Sequence, residues 1–219
     1  MSLLKEVSKK DSIADIGSGS GDLAKVIKEK FNPKEIVCVD NSFKNLRKVK
    51  KSGLKAVYSD VSKKINLKSS YFDVVICNQV LEHLINPDKC LIEINRILKD
   101  GGILLISVPN LCSFHNRILV LFGKQPTTIP PSNLLNFGVP FFREKMFFEG
   151  GRHLNGFSPA ALKVMLYFYG FKIEKVRGNG FYPLPSLISK TFSNLFPSFS
   201  VYLIVRAKKI KSFKMPSSI

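Results

Sequence analysis

The sequence predicts an α/β fold in which a doubly wound, mostly parallel sheet of seven strands is covered on both faces by helices. Two observations lead there. Short apolar runs rich in β-branched residues alternate with helix-period segments through the first 110 residues, the pattern of a parallel sheet buried on both sides. A glycine-rich turn closes the first of those runs. Right-handed crossovers then put a ligand site at the strands' C-terminal ends.

Each element has its own signal. Ser12 to Ile16 is the first apolar run, and Leu23, Val26 and Ile27 keep helical spacing to about Lys30, where Asn32-Pro33 ends the helix. Glu35 to Asp40 (EIVCVD) is continuous rather than alternating, as a fully buried strand should be. Ser42 to Lys51 reads as a helix, Lys55 to Ser59 and Phe72 to Cys77 as strands, and Leu91 to Leu98 as an amphipathic helix stopped by Lys99-Asp100-Gly101-Gly102. Ile103 to Val108 is the next strand, closed by Pro109-Asn110. Beyond it the pattern degrades. Ile118 to Phe122 is a short helical stretch, Gln125 to Pro131 a proline-rich break, and Phe137 to Phe148 a Phe-dense run without a clean period. Such a long irregular segment inside a compact domain points to function. Ser158 to Tyr169 restores helical order, with Ser158 as N-cap, Pro159 at the first position and Gly170 past the end. Phe171 to Val176 and Val201 to Arg206 complete the strands around a Pro- and Phe-rich connection.

The chain therefore reads as one domain over residues 1–219. Its parts are a core at 1–110, an aromatic insert or lid at 111–151, and a closing helix and strands at 152–219. Its 219 residues are 45% hydrophobic and 23% charged, which excludes global disorder. No apolar run approaches the roughly 18 residues of a membrane span. The opening MSLLKEVSKK is too poor in apolar residues for a signal peptide, so a cytoplasmic location is expected. Four scattered cysteines and three scattered histidines show no metal-ligand spacing, and no metal is expected. Charge is uneven: residues 1–100 carry 19 Lys and Arg against 13 acids, residues 101–219 carry 15 against 3, and 14 of the 18 Phe fall between Phe114 and Phe199. A basic, aromatic second half suits an anionic membrane surface, a greasy anionic substrate or RNA. It equally suits an ordinary aromatic core in a Lys-rich protein.

The turn Asp15-Ile16-Gly17-Ser18-Gly19-Ser20-Gly21-Asp22 narrows the ligand. A dinucleotide fingerprint needs glycine at its first, third and sixth places. Counting from Gly17, the sixth place is Asp22. A carboxylate there favours the helix dipole and repels a pyrophosphate. The turn fits a ligand that is free of phosphate and positively charged.

The run IADIGSGSGD, the acid closing IVCVD, and the stretch YFDVVICNQVLEHLINPDKCLIEINRILKDGGILLISVPN resemble the class I S-adenosylmethionine-dependent methyltransferases, closest to the small-molecule, quinone-biosynthesis-like group. The resemblance covers residues 12–110 strongly and His153 to Phe171 moderately. It implies the Rossmann-like methyltransferase fold and S-adenosylmethionine as cofactor. Gly17, Gly19 and Gly21 would pass under its methionyl end, and Asp15 would help hold the ammonium. Asp40, followed by Asn41, would accept from the ribose hydroxyls. Asp60 and the Val61 amide would meet the adenine, and Asn78 would face the methionyl group. Asp40 and Asp60 have a plainer reading as strand-ending turn residues. Glu82 is expected to pack or cap a helix, with His83 as a candidate for reaching substrate.

The implied reaction is an in-line displacement, with a nucleophilic O, N or C attacking the methyl carbon. An oxygen or nitrogen nucleophile must also lose a proton, and histidine is the commonest base, so His153, His115 and His83 are the catalytic candidates. The leading acceptor is a small or lipid-like molecule, with a peripheral contact to an anionic membrane. RNA is the alternative partner, and a non-catalytic cofactor-binding subunit is a third reading. No oligomeric state is legible.

Overall fold

The computed structural model describes Leu3, Ser8, residues 11–132 and residues 153–213. Seven strands form one sheet: β1 (Ser12–Ile16), β2 (Glu35–Asp40), β3 (Lys55–Tyr58), β4 (Phe72–Asn78), β5 (Leu98–Pro109), β6 (Phe171–Asn179) and β7 (Tyr202–Lys209). Their spatial order is β3-β2-β1-β4-β5-β7-β6. All pairings are parallel except those of β7, which runs antiparallel to both β5 and β6. The expected mostly parallel, doubly wound sheet is present. Its strand order reverses between β1 and β4, and at such a switch point the loops leave the C-terminal edge in opposite directions and open a crevice.

The described residues form six helices: α1 (Asp22–Phe31), α2 (Phe43–Lys51), α3 (Pro87–Ile97), α4 (Phe114–Leu121), α5 (Pro159–Phe168) and α6 (Ser186–Leu195). Alternate residues of each strand point to opposite faces. Ile13, Cys38 and Val74 therefore pack with Ala24 and Ile27 of α1 and Val49 of α2. Ala14, Val39 and Val75 pack on the other face with Leu91 and Ile94 of α3 and Leu162 and Leu166 of α5. Burial on both faces is why these strands read as unbroken apolar runs.

Several boundaries differ from the sequence reading. Helix α3 starts earlier, at Pro87, because the Asn86 side chain accepts from the Lys89 amide at 2.9 Å and Pro87 supplies the first helical φ. Gly101-Gly102 does not stop a helix; β5 begins at Leu98 and runs through both glycines. The helix after β5 starts four residues earlier than expected, at Phe114, and α6 occupies the Pro- and Phe-rich connection. The Phe-dense run, which falls in residues 133–151 of the expected lid, lies outside the described residues.

Asn95, on α3 and 2% exposed, joins the two halves of the chain. Its amide donates to the Tyr169 and Lys211 carbonyls at 2.9 and 3.0 Å, and its oxygen accepts from the Phe213 amide at 3.0 Å. Asn95→Ala orphans three backbone groups at once. It should lower stability by about 2–4 kcal/mol, seen as a reduced midpoint in urea denaturation.

Candidate active site

The turn between β1 and α1 needs glycine at three places. Gly17, Gly19 and Gly21 have φ of 68°, 55° and 77°, the left-handed region that side chains disfavour. Packing tightens the demand at Gly17, where a Cβ would lie 2.4 Å from Val80 Cγ2. The segment after β4 is thereby pressed against the loop. Asp22 stands in the first turn of α1, paired with Lys25 at 2.9 Å and bonded to the Ser20 hydroxyl. Those partners hold its carboxyl below the usual range, so the helix N-terminus carries a negative charge.

Two acids stand near the C-terminal ends of the strands beside this loop, Asp40 as the last residue of β2 and Asp15 as the last but one of β1. Asp40 accepts from the Gly19 amide at 2.8 Å and from the Ser42 amide at 2.8 Å, one on each oxygen, with Asn45 Nδ2 at 3.4 Å. Its first task is to brace the loop. A carboxylate has about four acceptor positions; Ser42 and Asn45 both use Oδ1, so Oδ2 keeps room for a hydroxyl donor. Asn41 follows it on the surface. Asp15 is the opposite case. It is 2% exposed and its Oδ2 has no hydrogen-bond partner. Burial, and then the charge of Asp40, raise its pKa to about 7. A buried carboxylate without a cation is costly, so Asp15 favours its protonated form and would gain from a positive group beside it.

The other expected contacts fall along the same C-terminal edge. Asp60 follows β3 and accepts from the Ser62 amide and hydroxyl at 3.0 and 2.6 Å, which lowers its pKa. That bonding is a turn, the plainer of its two expected roles. Val61 is buried in the core. Asn78 ends β4 exposed, its oxygen accepting from Ser107 Oγ at 2.6 Å, while Gln79 donates to the same hydroxyl at 3.0 Å with a left-handed φ of 56°.

Further along the edge a cavity of about 590 Å³ opens between the end of β5, α4 and the segment preceding β7. Phe114, Ile118, Leu119 and Tyr182 give it apolar walls, and His115 and His153 face it. A polar network fixes its floor. Buried Asn116 donates to Thr128 Oγ1 at 2.7 Å and accepts from the Thr127 amide at 2.9 Å, which pins the proline-rich stretch onto α4. His115 Nε2 pairs with Thr127 Oγ1 at 3.0 Å, and His153 Nδ1–H donates to the Thr128 carbonyl at 2.7 Å. Burial lowers the pKa of both rings, so both are neutral at pH 7.

Of the two roles expected of Glu82, packing and capping, the structure shows burial without capping. It lies in a 3₁₀ turn (Leu81–His83), fully buried, and neither carboxylate oxygen has a hydrogen-bond partner among the described residues. Burial raises its pKa to about 7. The Glu82 carbonyl instead accepts from the Leu154 and Asn155 amides at 2.6 and 3.1 Å, which brings His153 to 5.0 Å from the His83 ring. Sequence reasoning also missed Thr128 and Val80, whose roles depend on contacts between distant segments.

Residues 14–106 match the family described as a methyltransferase domain. The match spans under half of the chain; with the sheet order above, this region is similar to the class I, S-adenosylmethionine-dependent methyltransferases, whose methyl donor is S-adenosylmethionine. The chain is similar to an uncharacterized methyltransferase of Schizosaccharomyces pombe, 32% identical over 124 residues, which are 51% of this chain and 44% of that one. It spans about half the length of the curated relatives it matches. Among solved structures, an S-adenosylmethionine-dependent methyltransferase of Mesorhizobium loti superposes with a TM-score of 0.65 at 18% identity, covering 94% of each chain. A methyltransferase of Haloferax volcanii, solved with the Trm112 methyltransferase activator, gives 0.65 at 15% identity, covering 97% of this chain and 88% of that one. At those identities the likeness is one of fold.

Asp15 generates a pH dependence with a definite sign. Its folded pKa of about 7 lies above the ordinary aspartate value of 3.8, so between those values the unfolded chain ionises while the folded one holds its proton. Stability of the ligand-free protein therefore falls as pH rises from about 4 to 7 and levels above that. Asp15→Asn should remove this loss, raising stability at pH 8 by at most about 4 kcal/mol at 1.36 kcal/mol per pKa unit, and by less at pH 5. Thermal melts of both proteins across that range provide the check.

Proposed function

We propose that the chain transfers the methyl group of S-adenosylmethionine to an O, N or C nucleophile on a small, apolar or lipid-like acceptor. The observation that carries this reading is the apolar cavity on the sheet edge that also carries the glycine loop. Small-molecule sites are concave and mostly apolar, with a few placed polar groups. Here those groups are His115 and His153.

The residues present fit the cofactor. Orphaned Asp15 suits an ammonium or sulfonium charge, the left-handed glycines allow close backbone approach, and Asp40 retains acceptor capacity for ribose hydroxyls. When bound, S-adenosylmethionine supplies an electrophilic methyl group on a positive sulfur. The cavity walls would align the acceptor and exclude water, effects worth several kcal/mol in a two-reactant transfer. A neutral histidine would take the proton from an oxygen or nitrogen nucleophile. His153 is oriented for this, because its Nδ1–H is spent on Thr128 and leaves Nε2 with its lone pair.

The surroundings favour an acceptor delivered from an apolar phase. Val120, Leu121 and Phe122 at the end of α4 and Phe192 and Leu195 on α6 are exposed beside the cavity, with Arg117, Lys124 and Lys190 among them. Apolar tips among cations suit an anionic membrane surface. No helix among the described residues is long and apolar enough to cross a membrane. Four free thiols, three of them buried, suit the reducing cytoplasm.

The test is transfer of labelled methyl to separate metabolite, lipid, RNA and protein fractions. Label in the lipid or metabolite fraction is expected. Label confined to RNA overturns the acceptor assignment, and binding without transfer favours a partner subunit, an arrangement resembling the activator-bound neighbour. Asp40→Ala should weaken S-adenosylhomocysteine binding by roughly 10–150-fold, the equivalent of about 1.5–3 kcal/mol for a charge-assisted contact. Calorimetric titration measures it.

A further inference from the structure

Glu82, His83 and His153 meet beside the cavity, and their ligand atoms all lie within 4.8 Å of one another. The Glu82 carboxylate approaches His83 Nε2 at 4.0 Å. We propose that these three side chains form a binding site for a divalent first-row transition cation, of the Zn²⁺ or Fe²⁺ kind, at the inner wall of the acceptor cavity.

Three features of the cluster support a metal over a chance meeting of side chains. The Glu82 side chain is completely buried, and neither of its oxygens has a hydrogen-bond partner among the described residues. A fully desolvated carboxylate aimed at two imidazoles needs a positive charge between them. His153 is already in the state of a ligand. Its Nδ1–H donates to the Thr128 carbonyl at 2.7 Å, which fixes the tautomer and leaves Nε2 free to coordinate. Metal-binding histidines are almost always braced by such a bond from the second nitrogen. Thirdly, the backbone holds the parts in place: the Leu154 and Asn155 amides on the Glu82 carbonyl, and Asn155 Nδ2 on the Leu84 carbonyl at 2.6 Å, staple the two segments together.

Donor chemistry selects the ion. Two imidazole nitrogens and one carboxylate oxygen suit Zn²⁺ or Fe²⁺ rather than Mg²⁺ or Ca²⁺, which favour all-oxygen shells. Bonds of about 2.0–2.2 Å draw such donors closer together, a short inward rotation of the side chains from their present spacing. Three protein ligands leave at least one coordination position open. Because His153 also lines the cavity, that position faces the acceptor, and an oxygen or nitrogen of the acceptor can fill it. With its Nε2 committed to the ion, His153 no longer serves as a base, and His115 remains as the proton acceptor on the cavity wall.

The full chain, stripped with chelator, is titrated with Co²⁺ alone and followed by its visible d–d absorption and by calorimetry, with Zn²⁺ then added as competitor. One equivalent should bind, be displaced by Zn²⁺, and raise the melting temperature. Glu82→Gln and His153→Ala should each weaken binding by more than about tenfold, while Glu29→Gln on the exposed face of α1 leaves it unchanged. Glu82→Gln preserves shape and removes a buried charge, so it stays folded even where His153→Ala does not. Absence of a saturable one-equivalent site overturns the proposal, as does a site that Glu82→Gln leaves at full affinity. No cofactor enters the assay, so failure here leaves the methyl-transfer reading standing.

Discussion

The burial of Asp15 is the constraint from which the rest of the cofactor edge follows. β1 is covered on both faces, so Asp15, its last residue but one, is cut off from water before the chain turns. A carboxylate in that position repels its neighbour Asp40 and lacks a partner for one oxygen. The Gly19 amide of the glycine loop is donated to Asp40 instead. The fold therefore satisfies Asp40 with its own backbone, while Asp15 is the acid that the proposed positive ligand would satisfy. A phosphate would add a third negative group to this corner, together with Asp22 at the helix N-terminus. The site repels the ligands that other glycine turns collect.

Much of this was legible in sequence because the physics is local. Left-handed backbone demands glycine, so Gly17, Gly19 and Gly21 mark their own turn. Strands buried on both faces must be continuously apolar, so β1, β2 and β4 announce themselves. Errors came where two local signals competed. Gly101-Gly102 resembles a helix stop, yet α3 already ends at Ile97 and the glycines lie in an irregular stretch of β5, between its pairings with β4 at Leu98 and at Ile103. Pro185, and the Phe residues after it, obscured α6, although Ile188, Phe192, Leu195 and Phe196 stand at helical spacing along it. The Asn86-Pro87 pair was a capping signal in plain view.

The histidines show where legibility ends. His83 and His153 are far apart in the chain, and no spacing rule joins them. Their meeting depends on two backbone amides reaching one carbonyl at Glu82, a contact that any residue at those positions could make. What the sequence did offer was an acid and a histidine side by side after an apolar strand. Only burial shows that the acid is stranded rather than capping a helix. Cavity walls are equally non-local: Thr127 and Thr128 matter because Asn116 holds them.

Arginine usage decides how the basic second half should be read. Phosphate recognition favours the planar, bidentate guanidinium, yet Lys outnumbers Arg 27 to 7. Four of the five arginines among the described residues are also engaged within the protein. Arg96 holds Glu93 and the Ile65 and Leu67 carbonyls, and Arg206 holds Glu174. Arg117 donates to the Cys112 carbonyl and stacks over Phe199 at 4.3 Å, while Arg177 donates to Asn194. Such residues position the fold and offer little to a nucleic-acid backbone. The remaining positive charge is mostly lysine, a hydrated point charge on a flexible stem. Beside exposed aromatic and aliphatic side chains, lysines of that kind fit the proposed contact with a negative surface better than recognition of a nucleic-acid sequence, with the apolar cavity as the proposed acceptor site.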